Sequence, residues 1–179
     1  MFVSPPPAPT LVTLSLRMHF SGALVPAVSP GFGIAFGARS AARWGFLVAG
    51  WYTMPQTGQQ GLGDIEVGLT RVTAGVTFDV LRSRRVRVVL GAGPSLGALH
   101  VAVREPEPVT DAGDFSFIAA ELGVTLQAAV SEGILMELGG AGLVPLRRQE
   151  FLARGQQEPI WRQPAVSGVA FAGLGTLFP

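Results

Sequence analysis

Residues 13–21 read Thr-Leu-Ser-Leu-Arg-Met-His-Phe-Ser, apolar at every even position and polar at every odd one. A period of two marks a β-strand whose two faces meet different surroundings. Seven further segments carry related patterns. Residues 32–39 set Phe32, Ile34, Phe36 and Ala38 on one face, and 43–53 are apolar on both. Residues 64–80 change phase near Thr70 and Arg71, where a bulge is expected. Residues 86–103 run through Gly91, Gly93 and Pro94; 115–130, 134–144 and 164–178 complete the series. The expected fold is all-β, an eight-stranded antiparallel up-and-down barrel over residues 13–179, behind a Pro-rich tail of residues 1–12. Each strand reaches roughly the nine to eleven residues that a tilted strand needs to cross a bilayer.

The links alternate in length. Those at 40–42, 81–85 and 131–133 are short, and those at 25–30, 54–63, 104–114 and 147–163 are long and polar or Pro-rich. Transmembrane barrels are built with short turns on one rim and long loops on the other. Directly paired residues must share a face. That condition is met when Phe36 faces Phe46 and Ile34 faces Val48, when Val76 faces Leu90 and Phe78 faces Val88, and when Leu126 faces Leu138 and Ala128 faces Met136. The second of these registers also sets Asp79 against Arg87. The longest link, 147–163, is expected to be the most protease-accessible segment.

Composition changes the picture in one respect. Only 14% of residues are charged, against roughly 25% in soluble domains, so water is not the obvious surrounding. The 24 glycines and 14 prolines disfavour long helices, and no run of about 20 apolar residues could form a membrane helix. Thirteen arginines nearly balanced by twelve acids form no basic stripe for nucleic acid. With no cysteine and two histidines, neither thiolate chemistry nor a multi-histidine metal site is available, and no cofactor is expected. The start, with Pro5, Pro6, Pro7 and Pro9 and no basic residue, does not read as an export signal.

The alternating strands, the Gly-Ala-Gly segment at 91–93 and the related 139–142, the Val-Pro-Leu-Arg-Arg run at 144–148 and the closing Leu-Gly-Thr-Leu-Phe at 174–178 together resemble the small outer-membrane β-barrel proteins of Gram-negative envelopes. The resemblance covers about residues 13–178. It implies a barrel in the bacterial outer membrane, with lipid as its main partner, an unknown ligand at the long loops and a monomeric state. Phe178 resembles the terminal aromatic assembly signal of that family, although Pro179 follows it.

Candidate chemistry is sparse. Gly93-Pro94-Ser95-Leu96-Gly97 matches the nucleophile elbow letter for letter, but that elbow needs a strand, a turn and a helix with a later histidine, and no histidine follows His100. His19 shares a polar face with Arg17 and Ser21 and, with Ser95, is the starting point for a lipid-modifying enzyme. Arg17, Glu66, Asp79, Arg87, Glu121 and Glu137 lie on the less apolar faces and are expected to be structural charges plugging the lumen. Aromatics sort into two expected girdles. Phe36, Trp44 and Phe78 lie near the short turns, and Phe20, Phe32, Trp51, Tyr52, Phe115, Phe117 and Trp161 toward the long loops. The expected function is non-enzymatic, a structural or surface-interacting barrel. A soluble lipocalin-like carrier and a lipid-modifying barrel enzyme are the alternatives.

Overall fold

Strands with one apolar and one polar face reach their lowest free energy when every edge is paired and each face meets its own kind of surrounding. In a computed structural model, which describes residues 10–22, 24–25, 27–40, 42–59, 64–103, 113–152 and 159–178, eight strands do this. They are β1 (Leu11–Gly22), β2 (Ser29–Arg39), β3 (Trp44–Gln59), β4 (Asp64–Arg82), β5 (Val86–Val103), β6 (Gly113–Ser131), β7 (Ile134–Pro145) and, after a two-stranded hairpin of β8 (Glu150–Leu152) with β9 (Pro159–Arg162), β10 (Ser167–Phe178). Each is antiparallel to its neighbours, and β10 pairs with β1 to close the barrel. The start of β1 takes two residues from the expected tail; residues 1–9 lie outside the described residues.

The polarity is inverted relative to a soluble protein. Along β1, Leu16 and Met18 are 68% and 70% exposed while Arg17 and His19 beside them are 4% and 1% exposed. The outward apolar face continues through Ile34, Val48, Val72, Leu96, Leu122, Leu138 and Leu174. Inside lie Ser15, Arg71, Thr73, Thr77, Asp79, Ser95, Gln127 and Glu137. A soluble lipocalin-like carrier requires the opposite arrangement, with polar faces in water, so that alternative is set aside.

Following paired residues around the wall from Pro145 leads through Ala119, Ser95, Thr73, Ala49, Ala35, Ser15 and Gly175 back to β7 at Leu135, ten residues along. This stagger tilts the strands, and eight of them leave an interior just wide enough for side chains to fill.

The β6–β7 register is as expected, with Leu126 facing Leu138 and Ala128 facing Met136. Two other hairpins differ by two residues. Phe36 faces Val48 because the link at 40–43 is longer than the minimum: Ser40 N–H donates to the Trp44 carbonyl at 2.9 Å, and Arg43 takes a φ of 69°. Phe78 faces Leu90 because the pairing of β4 and β5 shifts between Asp79 and Leu81. Asp79 consequently faces Val89, not Arg87. An even shift keeps each side chain on its expected face. The rings of Phe36 and Phe46 still meet diagonally, 5.9 Å between centroids.

The bulge expected at Thr70 and Arg71 is instead in the partner strand. Thr53 of β3 faces Leu69, yet Gln56 faces Val67, so β3 carries the extra residue and β4 keeps one phase from Val67 to Asp79. Much of the expected loop at 54–63 is thus strand. At 16 to 19 residues, β3 to β6 outrun β1, β2, β7 and β10, which have 11 or 12. They form a wall rising beyond the rest at the long-loop end. The girdle assignment also needs correction: Phe20, Phe32, Phe36 and Trp44 face outward, but Trp51, Phe117 and Trp161 are buried inside, with Phe115 packed against the interior cluster.

Candidate functional site: the polar lumen and its apolar plug

One circuit of paired residues explains the centre of the lumen. Starting on β7 and passing through β10, β1, β2, β3, β4, β5 and β6, it reads Glu137, Gly173, Arg17, Gly33, Trp51, Arg71, Gly97 and Phe117. Large side chains fit in so narrow a tube because glycines lie beside them. A Cβ at Gly33 would come within 2.7 Å of the Trp51 ring, one at Gly173 within 2.9 Å of Arg17 Cγ, and one at Gly139 within 2.5 Å of the Phe171 ring. Gly31 leaves room for His19 in the same way.

Across Gly173, Arg17 Nε donates to Glu137 at 2.7 Å. The other Glu137 oxygen accepts from Gln127 at 2.6 Å, and the Gln127 carbonyl accepts from Arg39 at 2.7 Å. Arg39 also lies 3.4 Å from Asp79. A second group centres on Arg71, which donates to Glu121, Thr73 and Ser95, while the Thr73 hydroxyl donates to Glu121 at 2.8 Å. Trp51 lies between the two groups, with the Arg17 and Arg71 guanidinium carbons 5.7 and 5.1 Å from its ring. Arg17 also sits 4.7 Å from the Phe171 ring. Such cation–π contacts gain strength where water is excluded. His19 meets Trp51 edge-on and bonds Thr53 at 3.0 Å.

Toward the long loops the interior becomes apolar. Val67, Leu69, Leu99, Val101, Phe117, Leu143 and Val169 from the wall pack with Leu24 and Val25 from the first long link and with Phe151 and Trp161 from the β8–β9 hairpin. Phe151 stacks on Trp161 at 5.5 Å and meets Phe115 edge-on at 5.0 Å. Arg162 and Glu150 form a 2.6 Å ion pair on the exposed side of the hairpin. Segment 147–163, expected as a free loop, therefore docks both arms of its hairpin on the barrel mouth; its tip, 153–158, lies outside the described residues.

Of the six expected lumen charges, Arg17, Asp79, Glu121 and Glu137 join these networks, and Arg87 shares the inner face with its pairing partner Gln127 near the short turns. Glu66 does not join them. With β4 in a single phase, its pairing partners are Thr57 and Ala102, which are exposed, so it lies on the outer side of the raised wall. Sequence reasoning missed Trp51, Phe171, Gln127, Arg39 and Arg71 as lumen residues. The available signal was the glycine opposite each large ring: Gly33 for Trp51 and Gly139 for Phe171.

Ser95 lies within a strand, bonded to Thr73 and Arg71, and His100 lies on the other face of the same strand. The nucleophile-elbow reading therefore has no geometry behind it. His100 does connect Thr70 at 2.9 Å to Asp114 at 2.7 Å on the outer wall, the order of a hydrolytic relay. Thr70 sits within ladders to Tyr52 and Ala98 on a flat strand face. Among the described residues that face carries no turn that would converge backbone donors on an oxyanion.

The barrel matches known folds end to end. At 11% identity, a major outer membrane protein from Thermus thermophilus superposes with a TM-score of 0.68, covering 96% of this chain and 100% of that one. The chain has the fold of the small outer-membrane β-barrels. Neisserial surface protein A aligns at 15% identity and TM-score 0.58, covering 93% and 96% of the two chains. Ail of Yersinia pestis, in complex with the heparin analogue sucrose octasulfate, aligns at 13% and 0.54, covering 94% and 97%. No protein-family model and no curated protein matches the sequence. Within the small outer-membrane barrel fold, the inward ion pairs and outward apolar belt occupy the positions that a membrane demands of them.

Proposed function

We propose that this chain is an integral protein of a bacterial outer membrane, non-enzymatic and closed to ion flow, which holds its raised β3–β6 wall and docked β8–β9 hairpin at the outer surface. The observation that carries this reading is the polarity of the wall, an apolar belt on the exterior around buried charges. In hydrocarbon an arginine facing lipid near mid-membrane costs about 2–4 kcal/mol, so Arg17 and Arg71 belong inside only if the outside is lipid. Closure rests on two layers in series, the ion-paired centre and the apolar plug. A surface-interaction role fits the wall, which stands beyond the bilayer span. The long-loop end and its links carry eight carboxylates against five arginines, so a sulfated polyanion of the kind bound to Ail is a poor match there. The test is fractionation of the exported chain together with spin labels at Met18 and His19. Outer-membrane recovery with Met18 in contact with acyl chains is expected. A soluble chain, or label mobility equal at both positions, would overturn the reading.

A further inference from the structure

Charge is distributed unevenly along the barrel axis. The lumen centre is balanced, Arg17 and Arg71 against Glu121 and Glu137. Toward the short turns lie six arginines, Arg39, Arg43, Arg82, Arg84, Arg85 and Arg87, and two carboxylates, Asp79 and Glu132, with Arg39 also linked through Gln127 to Glu137. Asp79 is already engaged with Arg39 inside the barrel. Arg84 and Arg85 are exposed at the tip of the β4–β5 turn, and no carboxylate among the described residues forms an ion pair with either. The turn that presents them is fixed: Ser83 N–H donates to the Val86 carbonyl at 2.9 Å, Val86 N–H donates to the Ser83 hydroxyl at 3.0 Å, and Ala129 N–H donates to the Arg85 carbonyl at 2.7 Å. Immediately above, Val80, Leu81 and Trp44 are exposed on the apolar belt.

We infer that this turn is a binding surface for anionic phospholipid headgroups in the leaflet that meets the short-turn rim, an inference that rests on the membrane reading above. Two features commit it to lipid. Arg84 and Arg85 stand at the mouth of the lumen, three to four residues beyond the exposed Leu81 of the apolar belt, so a lipid whose chains lie along Val80 and Leu81 brings its phosphate within reach of their long side chains. Guanidinium groups grip phosphate oxygens in pairs, and each basic residue near an anionic surface contributes attraction that salt screens.

Trp44, 57% exposed and 4.8 Å from the Phe78 ring on β4, is a built-in reporter of the lipids beside this turn, because Trp51 and Trp161 are buried. The full chain is folded into vesicles of phosphatidylcholine and phosphatidylglycerol in fixed ratio, with bromine on the chains of one lipid or the other. Both leaflets being alike, orientation does not matter. Brominated phosphatidylglycerol is expected to be enriched at Trp44 by about two- to fivefold over its bulk fraction at low salt, an enrichment lost in R84Q/R85Q and in high salt. Equal quenching by the two lipids would overturn the inference while leaving the membrane reading intact. Loss of the preference in millimolar inorganic phosphate at constant ionic strength would overturn the lipid assignment in favour of a soluble anion. Quenching by neither lipid would overturn the membrane reading and this inference together.

Discussion

Arg71 shows what is needed to keep a charge inside a barrel. It is almost fully buried, and its partners are Glu121, two hydroxyls and the face of Trp51. The attraction within such a pair is largely offset by the loss of hydration, but removing one member leaves the other charged and dry. Glu121→Ala is expected to lower stability by about 3–5 kcal/mol, and the double change Arg71→Met with Glu121→Leu to restore most of that loss. Urea unfolding of the vesicle-embedded chain, followed by circular dichroism, measures both. A single-variant loss under about 1 kcal/mol would place bulk water beside the pair. Asp79 and Arg39 form the corresponding pair nearer the rim, in place of the expected pairing of Asp79 with Arg87.

The strands differ in how much their sequences disclose. The alternation of β1 specifies its faces because an apolar residue and a charged or polar one occupy successive positions for most of its length. β4 is harder to read, since a change of phase in sequence does not say which of two paired strands holds the extra residue; here β3 holds it, and Glu66 lies outside in consequence. β3 itself, apolar on both faces, offers no phase, and so nothing in its pattern turns Trp51 inward. The registers two residues off in two hairpins come from turns whose length is set by Ser40 and by the shift at Val80, neither visible as a pattern. The β6–β7 turn is legible because Gly133 adopts a φ of 88°, open to glycine and strained for other residues. Gly133→Val is expected to cost about 1–3 kcal/mol, read from the same urea titration. In the docked hairpin, Phe151→Ala removes the ring shared by Phe115 and Trp161, and trypsin cleavage between residues 147 and 162 should rise at least about tenfold over the unaltered chain, a change of about 1.4 kcal/mol or more in local opening. Unchanged cleavage would mean that the hairpin does not depend on its rings.

On the proposed reading, the two layers of the lumen close it to ions. Planar bilayers containing the folded chain should show no sustained single-channel current at moderate voltage, and Phe151→Ala should stay equally silent because the ion-paired centre remains. Stable open-channel steps in the unaltered chain would contradict closure. The inner glycines carry the last consequence. Gly31, Gly33, Gly139 and Gly173 are each the hollow half of a mould whose raised half is a ring or the stem of an arginine on the next strand, so neither half can drift alone. Gly33→Ala should be harmful with Trp51 present and less so beside Trp51→Leu, where the approach to the Gly50 carbonyl at 2.6 Å remains, a coupling of about 0.5–3 kcal/mol in a double-mutant cycle. The exterior asks only for greasiness and is free to wander. A lineage built this way would exchange its lumen residues in couples and its lipid-facing ones singly. Its members would then keep one shape while sharing few of their residues.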